Sequence, residues 1–335
     1  MRLALSDARR GIGHTSPNPA VGAVIVRAGR LLAHGWHRKA GQPHAEIEAM
    51  RALKRPAQAK GATLYVTLEP CSTRGRTPPC VEAIIAAGIA RVVVGAIDPN
   101  PHHAGRGIAL LRKAGVKVTS GILEKECADL NPGFNKWITQ QMPWVIAKAA
   151  MSLDGRLTRP PGEGQWLTSK ATRADAMHLR ARVDAILIGA NTLRTDNPRL
   201  TLRKLEGYET KEQPWRVVIS RGQNPLPKRA HLFTDAHRER TLVFRGKPLR
   251  TVLKQLAKRG VTSVLIEGGM RVLGEAFDRK LVDEVCFYLA PLISAGPVVA
   301  LGGKGAGSSA ESLRIEDPRY TKIGTDVRMT GKLAR

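Results

Sequence analysis

The sequence predicts two layered α/β domains in succession, and three observations carry that expectation. The 335 residues suffice for two domains of ordinary size, at about 150 residues each. Short apolar runs alternate with helical stretches through both halves, the pattern of helices packed on a sheet. Met142-Pro143 separates a helical stretch from a fresh strand, which places the boundary there and gives domains 1–142 and 143–335.

In the first domain, residues 20–26 and 31–35 read as a hairpin turned at Arg27-Ala28-Gly29-Arg30, because largely apolar runs flank a glycine-containing turn. Residues 64–68 and 91–97 read as buried strands, and 116–119 as a shorter one. Helical stretches lie at 44–53, 81–87 and 108–114, the last two stopped by Gly88 and Gly115, since glycine takes the left-handed position past a helix end without steric cost. A further helical stretch at 123–141 leads to the boundary. In the second domain the strands are 144–149, 185–188, 215–219, 241–244, 263–266 and 284–289, with helices at 170–181, 249–259 and 271–277. Residues 203–214 and 302–312 are polar or Gly/Ser-rich and read as loops. No internal repeat of useful period appears.

Composition excludes several classes. With 42% apolar and 24% charged residues the chain is globular rather than disordered. No apolar run approaches the roughly 18 residues that span a bilayer, so no membrane partner is expected. Residues 1–10 alternate apolar and charged side chains, unlike a secretory signal, and the expected location is the cytoplasm. Four cysteines, Cys71, Cys80, Cys127 and Cys286, are too few for a disulfide scaffold and stay reduced there. The net charge of +26 invites a polyanion. Its distribution weakens that reading: 20 basic face 9 acidic side chains in residues 1–142, and 34 face 19 in 143–335, with no basic arm. Aromatic residues are only 4%, a poor supply of stacking platforms for bases. A solvated basic surface accounts for most of the charge, and no nucleic acid is expected.

The densest chemistry is His44-Ala45-Glu46, then Pro70-Cys71, then Cys80, with eight residues between the thiols. One imidazole and two thiolates suit a tetrahedral Zn2+ that keeps its fourth position for water, as a catalytic zinc does. Zinc lowers the pKa of bound water toward ~7, and a carboxylate two residues from the histidine can move the proton to a leaving amine. His44 follows Pro43 and Cys80 follows Pro78-Pro79, each opening a helix, and a helix N-terminus favours a thiolate. The bland alternative makes both cysteines small buried hydrophobes and His44 a surface residue; residue type, order and proline context together favour zinc. The pattern is the H-x-E, P-C-x-x-C signature of zinc deaminases with its second half stretched. Cys127 and Cys286 have no such context.

Here the chain resembles the RibD family, bifunctional riboflavin biosynthesis enzymes that fuse a diaminohydroxyphosphoribosylaminopyrimidine deaminase to a 5-amino-6-(5-phosphoribosylamino)uracil reductase. The resemblance rests on Thr15-Ser16-Pro17-Asn18-Pro19-Ala20-Val21-Gly22, Gly41-Gln42-Pro43-His44-Ala45-Glu46, Thr67-Leu68-Glu69-Pro70-Cys71, Gly75-Arg76-Thr77-Pro78-Pro79-Cys80 and Asp98-Pro99-Asn100-Pro101. It implies that His44, Cys71 and Cys80 hold zinc, that Glu46 shuttles the proton, and that Asn18, His37, Arg76, Asp98 and Asn100 hold the substrate. Chemistry agrees: asparagine offers a donor and an acceptor to a pyrimidinone edge, and arginine forks onto phosphate. Asn18 and Asn100 also suit turns beside proline. Thr73 stands where the family usually has histidine, and the chain begins inside the family's usual first helix.

The second domain has no G-x-G-x-x-G after its first strand, so a Rossmann dinucleotide site is not indicated. Lys148-Ala149-Ala150-Met151-Ser152-Leu153-Asp154-Gly155, Trp166-Leu167-Thr168-Ser169, Asp196-Asn197-Pro198 and Ile266-Glu267-Gly268-Gly269 resemble instead the family's reductase domain. Singly, Asp196-Asn197-Pro198 is a turn and Gly268-Gly269 a helix entry; their joint occurrence carries the functional reading. The resemblance implies that Ala150, Trp166, Thr192, Asp196, Ser220, Gly268 and Gly269 contact NADPH, and that Gly164, Arg180, Leu200, Arg203 and Glu267 contact substrate. Lys148 and Asp154 are polar candidates for the same cleft. The implied fold is an N-terminal cytidine-deaminase-like α/β/α layered domain followed by a dihydrofolate-reductase-like α/β domain. The implied function is zinc-dependent deamination of a phosphorylated pyrimidine and then NADPH-dependent reduction of its ribosyl group, with homo-oligomerisation left open. The rival readings are a nucleic-acid base deaminase, which predicts steeply salt-dependent binding, and a zinc-stabilised binding protein without an exchangeable water.

Overall fold

The computed structural model describes residues 1–74, 78–157, 166–203, 205–222 and 224–334, and the chain divides into two units, Met1–Met142 and Pro143–Arg335. The first unit runs α1 (Arg2–Arg9), β1 (Gly22–Arg27), β2 (Arg30–Trp36), α2 (Ala45–Arg51), β3 (Thr63–Leu68), α3 (Cys80–Ala86), β4 (Arg91–Ala96), α4 (Arg106–Lys113), β5 (Lys117–Thr119), α5 (Glu124–Ala128) and α6 (Pro132–Gln140). Its sheet has the order β2-β1-β3-β4-β5. β1 is antiparallel to β2 and β3, and β3, β4 and β5 are parallel. At the hairpin tip Ala28 and Gly29 both take positive φ, 49° and 75°, the two-residue connection whose twist matches its strands. Ala45 and Ala49 of α2, Val81 and Ile84 of α3 and Ile108 and Leu111 of α4 share one apolar cluster with the strands. Leu5 of α1 and Cys127 of α5 join a second cluster with Leu68 and Ala96. Helices therefore cover both faces of the sheet.

Helix α1 lies hard against β1 because residue 22 is glycine. A Cβ there would sit 2.0 Å from the Ala4 carbonyl oxygen and 2.8 Å from the Ala8 nitrogen, both backbone atoms that no rotamer change can move. Gly22→Ala is accordingly expected to destabilise the first unit by roughly 1–3 kcal/mol. Urea unfolding of the variant checks this, and an unchanged midpoint would contradict the packing.

The helical stretch expected over 123–141 is two helices, α5 and α6, broken at Asn131-Pro132. Proline excludes the preceding residue from helical geometry and suits the first position of the next helix. Asn131 also leaves the helix to work: its side chain accepts from Ala20 N at 2.7 Å and donates to Ala20 O at 2.9 Å, fixing the segment that carries Asn18.

The second unit runs β6 (Trp144–Ser152), α7 (Lys170–Ala181), β7 (Ala185–Gly189), α8 (Ala190–Asp196), β8 (Trp215–Ser220), α9 (His231–Thr234), β9 (Thr241–Arg245), α10 (Leu249–Lys258), β10 (Ser263–Glu267), α11 (Met270–Asp278), β11 (Glu284–Ala290), β12 (Ile315–Ile323) and β13 (Asp326–Leu333). The sheet order is β12-β13-β11-β6-β10-β7-β8-β9. From β11 to β9 every pairing is parallel; β13 joins β11, and β12 joins β13, antiparallel. The β12–β13 hairpin is absent from the sequence expectation for a physical reason. β12 is exposed along nearly its whole length, so it shows no alternation, and Pro318 sits within a register shift between Glu316 and Arg319, a device that blunts a sheet edge. No described helix is long and apolar enough to cross a membrane.

Candidate functional site

In the first unit three chain segments converge. β3 ends at Leu68 and the chain continues through Glu69-Pro70 to Cys71, α2 begins just after His44, and α3 begins at Cys80. Pro79, with φ −60°, sets the entry to α3. His44 Nδ1 lies 3.5 Å from Cys71 Sγ and 3.3 Å from Cys80 Sγ, and the three ligand atoms fall within 4.8 Å of one another. Zinc bonds of ~2.3 Å to sulfur and ~2.0 Å to nitrogen give tetrahedral edges of about 3.5 Å, so the donor set fits that ion in both type and spacing.

The electrostatics follow from the crowding. The Cys80 thiol donating to Cys71, with His44 beside it, brings the Cys71 thiol down to about 4, while Cys71 and burial push Cys80 up. The Cys80 backbone N–H, one of the unpaired donors opening α3, also points at Cys71 Sγ, 3.3 Å away. Hydrogen bonding to Cys71 raises the His44 pKa. Glu46 is 3% exposed, and burial, assisted by the Cys71 charge, pushes it up to about 7.

His37, 2% exposed, packs edge-on against His44 with ring centroids 5.2 Å apart. Its Nδ1 donates to the Pro43 carbonyl at 2.9 Å, which leaves Nε2 to accept from Asn18 Nδ2 at 3.2 Å. Burial lowers its pKa and keeps the ring neutral, so the pair fixes the Asn18 amide. Asp98 Oδ1 accepts from Asn100 N at 2.9 Å, and Asn100 Oδ1 from His102 N at 3.0 Å. Both side chains thus shape their loop by turn bonds, as their place beside proline suggests. Burial raises the Asp98 pKa. Thr73 Oγ1 lies 3.3 Å from His103 Nδ1. Arg76 lies outside the described residues.

Sequence reasoning missed Glu69. Its buried carboxylate accepts from Asp98 N at 3.2 Å, Gly105 N at 2.9 Å and Ile108 N at 3.2 Å. The sequence held one signal: α4 starts at a glycine N-cap and has no acid in its first turn, so its cap has to come from elsewhere.

In the second unit the candidates gather at the carboxyl ends of the adjacent parallel strands β6, β10, β7 and β8, where ligands of open α/β sheets bind. Ala150 lies near the end of β6, Ser220 ends β8, and Thr192 and Asp196 lie on α8 directly after β7. β10 ends at Glu267 and passes through Gly268 and Gly269, with φ 90° and 86°, into α11. A Cβ at Gly269 would lie 3.2 Å from Thr192 Oγ1, and one at Gly268 would meet nothing within 4 Å. The glycines leave bare backbone at a helix N-terminus, a cradle suited to the pyrophosphate of a dinucleotide.

Arg180 and Glu267 meet as a two-pronged pair, Nε to Oε1 at 2.5 Å and Nη2 to Oε2 at 2.8 Å. The remaining Nη1 reaches the Thr201 carbonyl at 3.5 Å. Burial alone would raise Glu267, but the Arg180 charge outweighs it and holds the carboxyl at about 2. Lys148, in register with Glu267 across β6 and β10, adds to this. Leu200 is buried with φ 50°, a conformation a leucine holds only when its surroundings impose it. Arg203 is exposed, and Trp166 is half exposed beside the Arg173 guanidinium, 5.3 Å from its ring. Asp154 closes a loop, accepting from the Ser152 hydroxyl and from Ser294 N and Ala295 N. Gly164 lies outside the described residues.

Comparison with known proteins matches both units. A family profile described as the cytidine and deoxycytidylate deaminase zinc-binding region matches residues 1–96, and one described as the RibD C-terminal domain matches 143–329. The riboflavin biosynthesis protein RibD of Aquifex aeolicus is 38% identical, covering 98% of this chain and 96% of its own. The Escherichia coli RibD gives the same identity and coverage. Among solved structures, Acinetobacter baumannii RibD superposes with a TM-score of 0.92 at 38% identity, over 100% of this chain and 98% of that one. A Thermotoga maritima protein described as a diaminohydroxyphosphoribosylaminopyrimidine deaminase/5-amino-6-(5-phosphoribosylamino)uracil reductase superposes with a TM-score of 0.88 at 31% identity, over 100% and 97%.

Proposed function

The chain belongs to the RibD family, and from that premise we propose that its first unit deaminates 2,5-diamino-6-(5-phosphoribosylamino)pyrimidin-4(3H)-one and its second reduces the product with NADPH. A cytidine-deaminase-like unit and a RibD reductase unit make it a bifunctional deaminase and reductase of riboflavin biosynthesis. The observation that carries the first step is the convergence of His44, Cys71 and Cys80, with the buried Glu46 two residues from the histidine.

Those three side chains would hold zinc, which supplies an activated water at neutral pH when bound. Glu46 moves the proton that the departing ammonia requires. Asn18, its amide set by His37, offers both a donor and an acceptor to the pyrimidinone edge; Asp98 and Asn100 approach from their loop, and Arg76 is assigned to the phosphate. In the second unit Gly268, Gly269, Thr192, Asp196, Ser220, Ala150 and Trp166 would hold the dinucleotide, which when bound would supply the hydride that, with C1′–O4′ opening and a proton to O4′, turns ribosyl to ribityl. Arg180, Leu200, Arg203 and Glu267 are assigned to the substrate, as is Gly164. With the Nε and Nη2 edge of Arg180 engaged by Glu267, Arg203 is the freer arginine for phosphate. A reducing cytoplasm suits the free thiols of the site.

Ammonia release and NADPH oxidation, followed separately, test this. Stripping the metal with a chelator is expected to abolish ammonia release from the diaminopyrimidine and leave reduction of supplied phosphoribosylaminouracil unchanged, with zinc restoring the first. Loss of both reactions, or of neither, would contradict the assignment.

A further inference from the structure

Helix α4 opens without a cap of its own. Its N-cap is Gly105 at φ 76°, no side chain of the helix accepts its first N–H groups, and its first turn holds no acid. The end of a helix leaves such donors unpaired unless something outside supplies an acceptor. Glu69, from the segment after β3, supplies it: Oε2 takes Gly105 N at 2.9 Å and Oε1 takes Ile108 N at 3.2 Å. The same Oε2 also takes Asp98 N at 3.2 Å. One oxygen therefore clamps both ends of the loop 98–105, which carries Asp98 and Asn100. Packing seats the clamp: a Cβ on Gly107 would lie 2.2 Å from the Pro70 carbonyl oxygen, so the first turn of α4 presses directly on the backbone between Glu69 and Cys71.

We propose that Glu69 is a positioning residue of the deaminase site, fixing the loop of Asp98 and Asn100 against the segment that ends in Cys71 and so setting substrate affinity without touching substrate. The inference rests on the reading of that loop as substrate-binding. Only a carboxylate serves here, because its two oxygens accept all three bonds, whereas an amide of the same shape turns one acceptor into a donor facing backbone N–H groups.

The test uses the full-length zinc-loaded protein. Glu69→Gln is expected to raise the deaminase KM about 10-fold or more, since a loop that loses its charge-assisted hydrogen bonds holds its substrate contacts less firmly, with kcat, zinc content and the reductase reaction changed less than about twofold. Amide hydrogen exchange in residues 98–108 should quicken in parallel. An unchanged KM, or a loss of zinc in step with kcat, would overturn the proposal, the second outcome marking a role in the metal centre instead. If Glu69→Gln does not fold, Gly107→Ala decides: it keeps the carboxylate, pushes α4 from Pro70, and should give the same KM signature. Asp98→Ala isolates the underlying reading. No rise in KM there removes the loop's substrate role, whereas a rise there with none in Glu69→Gln defeats the clamp alone.

Discussion

Glu46→Gln protein will bind zinc and reduce its uracil substrate normally, yet release ammonia at least about 10³-fold more slowly, within the range that positioned proton transfer contributes. Glu46 is the second residue of α2, 3% exposed and two residues from the ligand His44. Glutamine keeps its shape, so the packing that brings His44 Nδ1 within 3.5 Å of both sulfurs survives. What disappears is a group able to take up a proton and hand it on. His37 packs against the ligand His44, but its Nδ1 is committed to Pro43 O and its Nε2 to Asn18. Zinc stoichiometry by elemental analysis, beside ammonia release and NADPH oxidation, checks the prediction. Retained ammonia release would remove Glu46 from the proton path, and zinc loss would show that the carboxylate supports the ligands instead.

The metal centre was legible because its chemistry is local in sequence. Each ligand follows a proline, two of them at the start of a helix, and spacing and residue type are visible without the fold. Glu69 was not legible in the same way, although it lies two residues from Cys71. Its partners are backbone N–H groups of a helix start almost forty residues on, and only the packing of α4 on the β3 exit brings them together. The pairing of Arg180 with Glu267 likewise joins residues far apart in the chain; each looked like a substrate contact when taken alone, and the structure shows them bound to each other. Strands buried on both faces, such as β7, were legible from unbroken apolar runs. β12 was not, because a strand exposed on both faces leaves no pattern to find.

Glu267→Ala will lower the thermal midpoint of the second unit by on the order of 10 °C and reduce the reductase reaction at least about 100-fold, leaving ammonia release intact. The stability loss comes from what remains behind. Arg180 is only 15% exposed at its side chain, and removing the partner of a buried ion pair costs about 3–5 kcal/mol because the surviving charge is uncompensated; in a unit of this size each kcal/mol moves the midpoint roughly 2–4 °C. Glu267→Gln separates charge from shape, and its signature is a pH dependence. The folded carboxyl is depressed to about 2 from an ordinary value of 4.5, so the pair's stabilisation is fully present above about pH 4.5 and drains away as pH falls toward 2. Wild-type protein should therefore lose stability across that window more steeply than Glu267→Gln, whose amide does not titrate. Parallel denaturation curves between pH 5 and 3 would show that Glu267 is not the depressed group. A catalytic loss without the thermal loss would mean that Glu267 acts on substrate alone; both together, with deamination spared, would show that the ion pair with Arg180 supports the second unit's stability and its reaction alike.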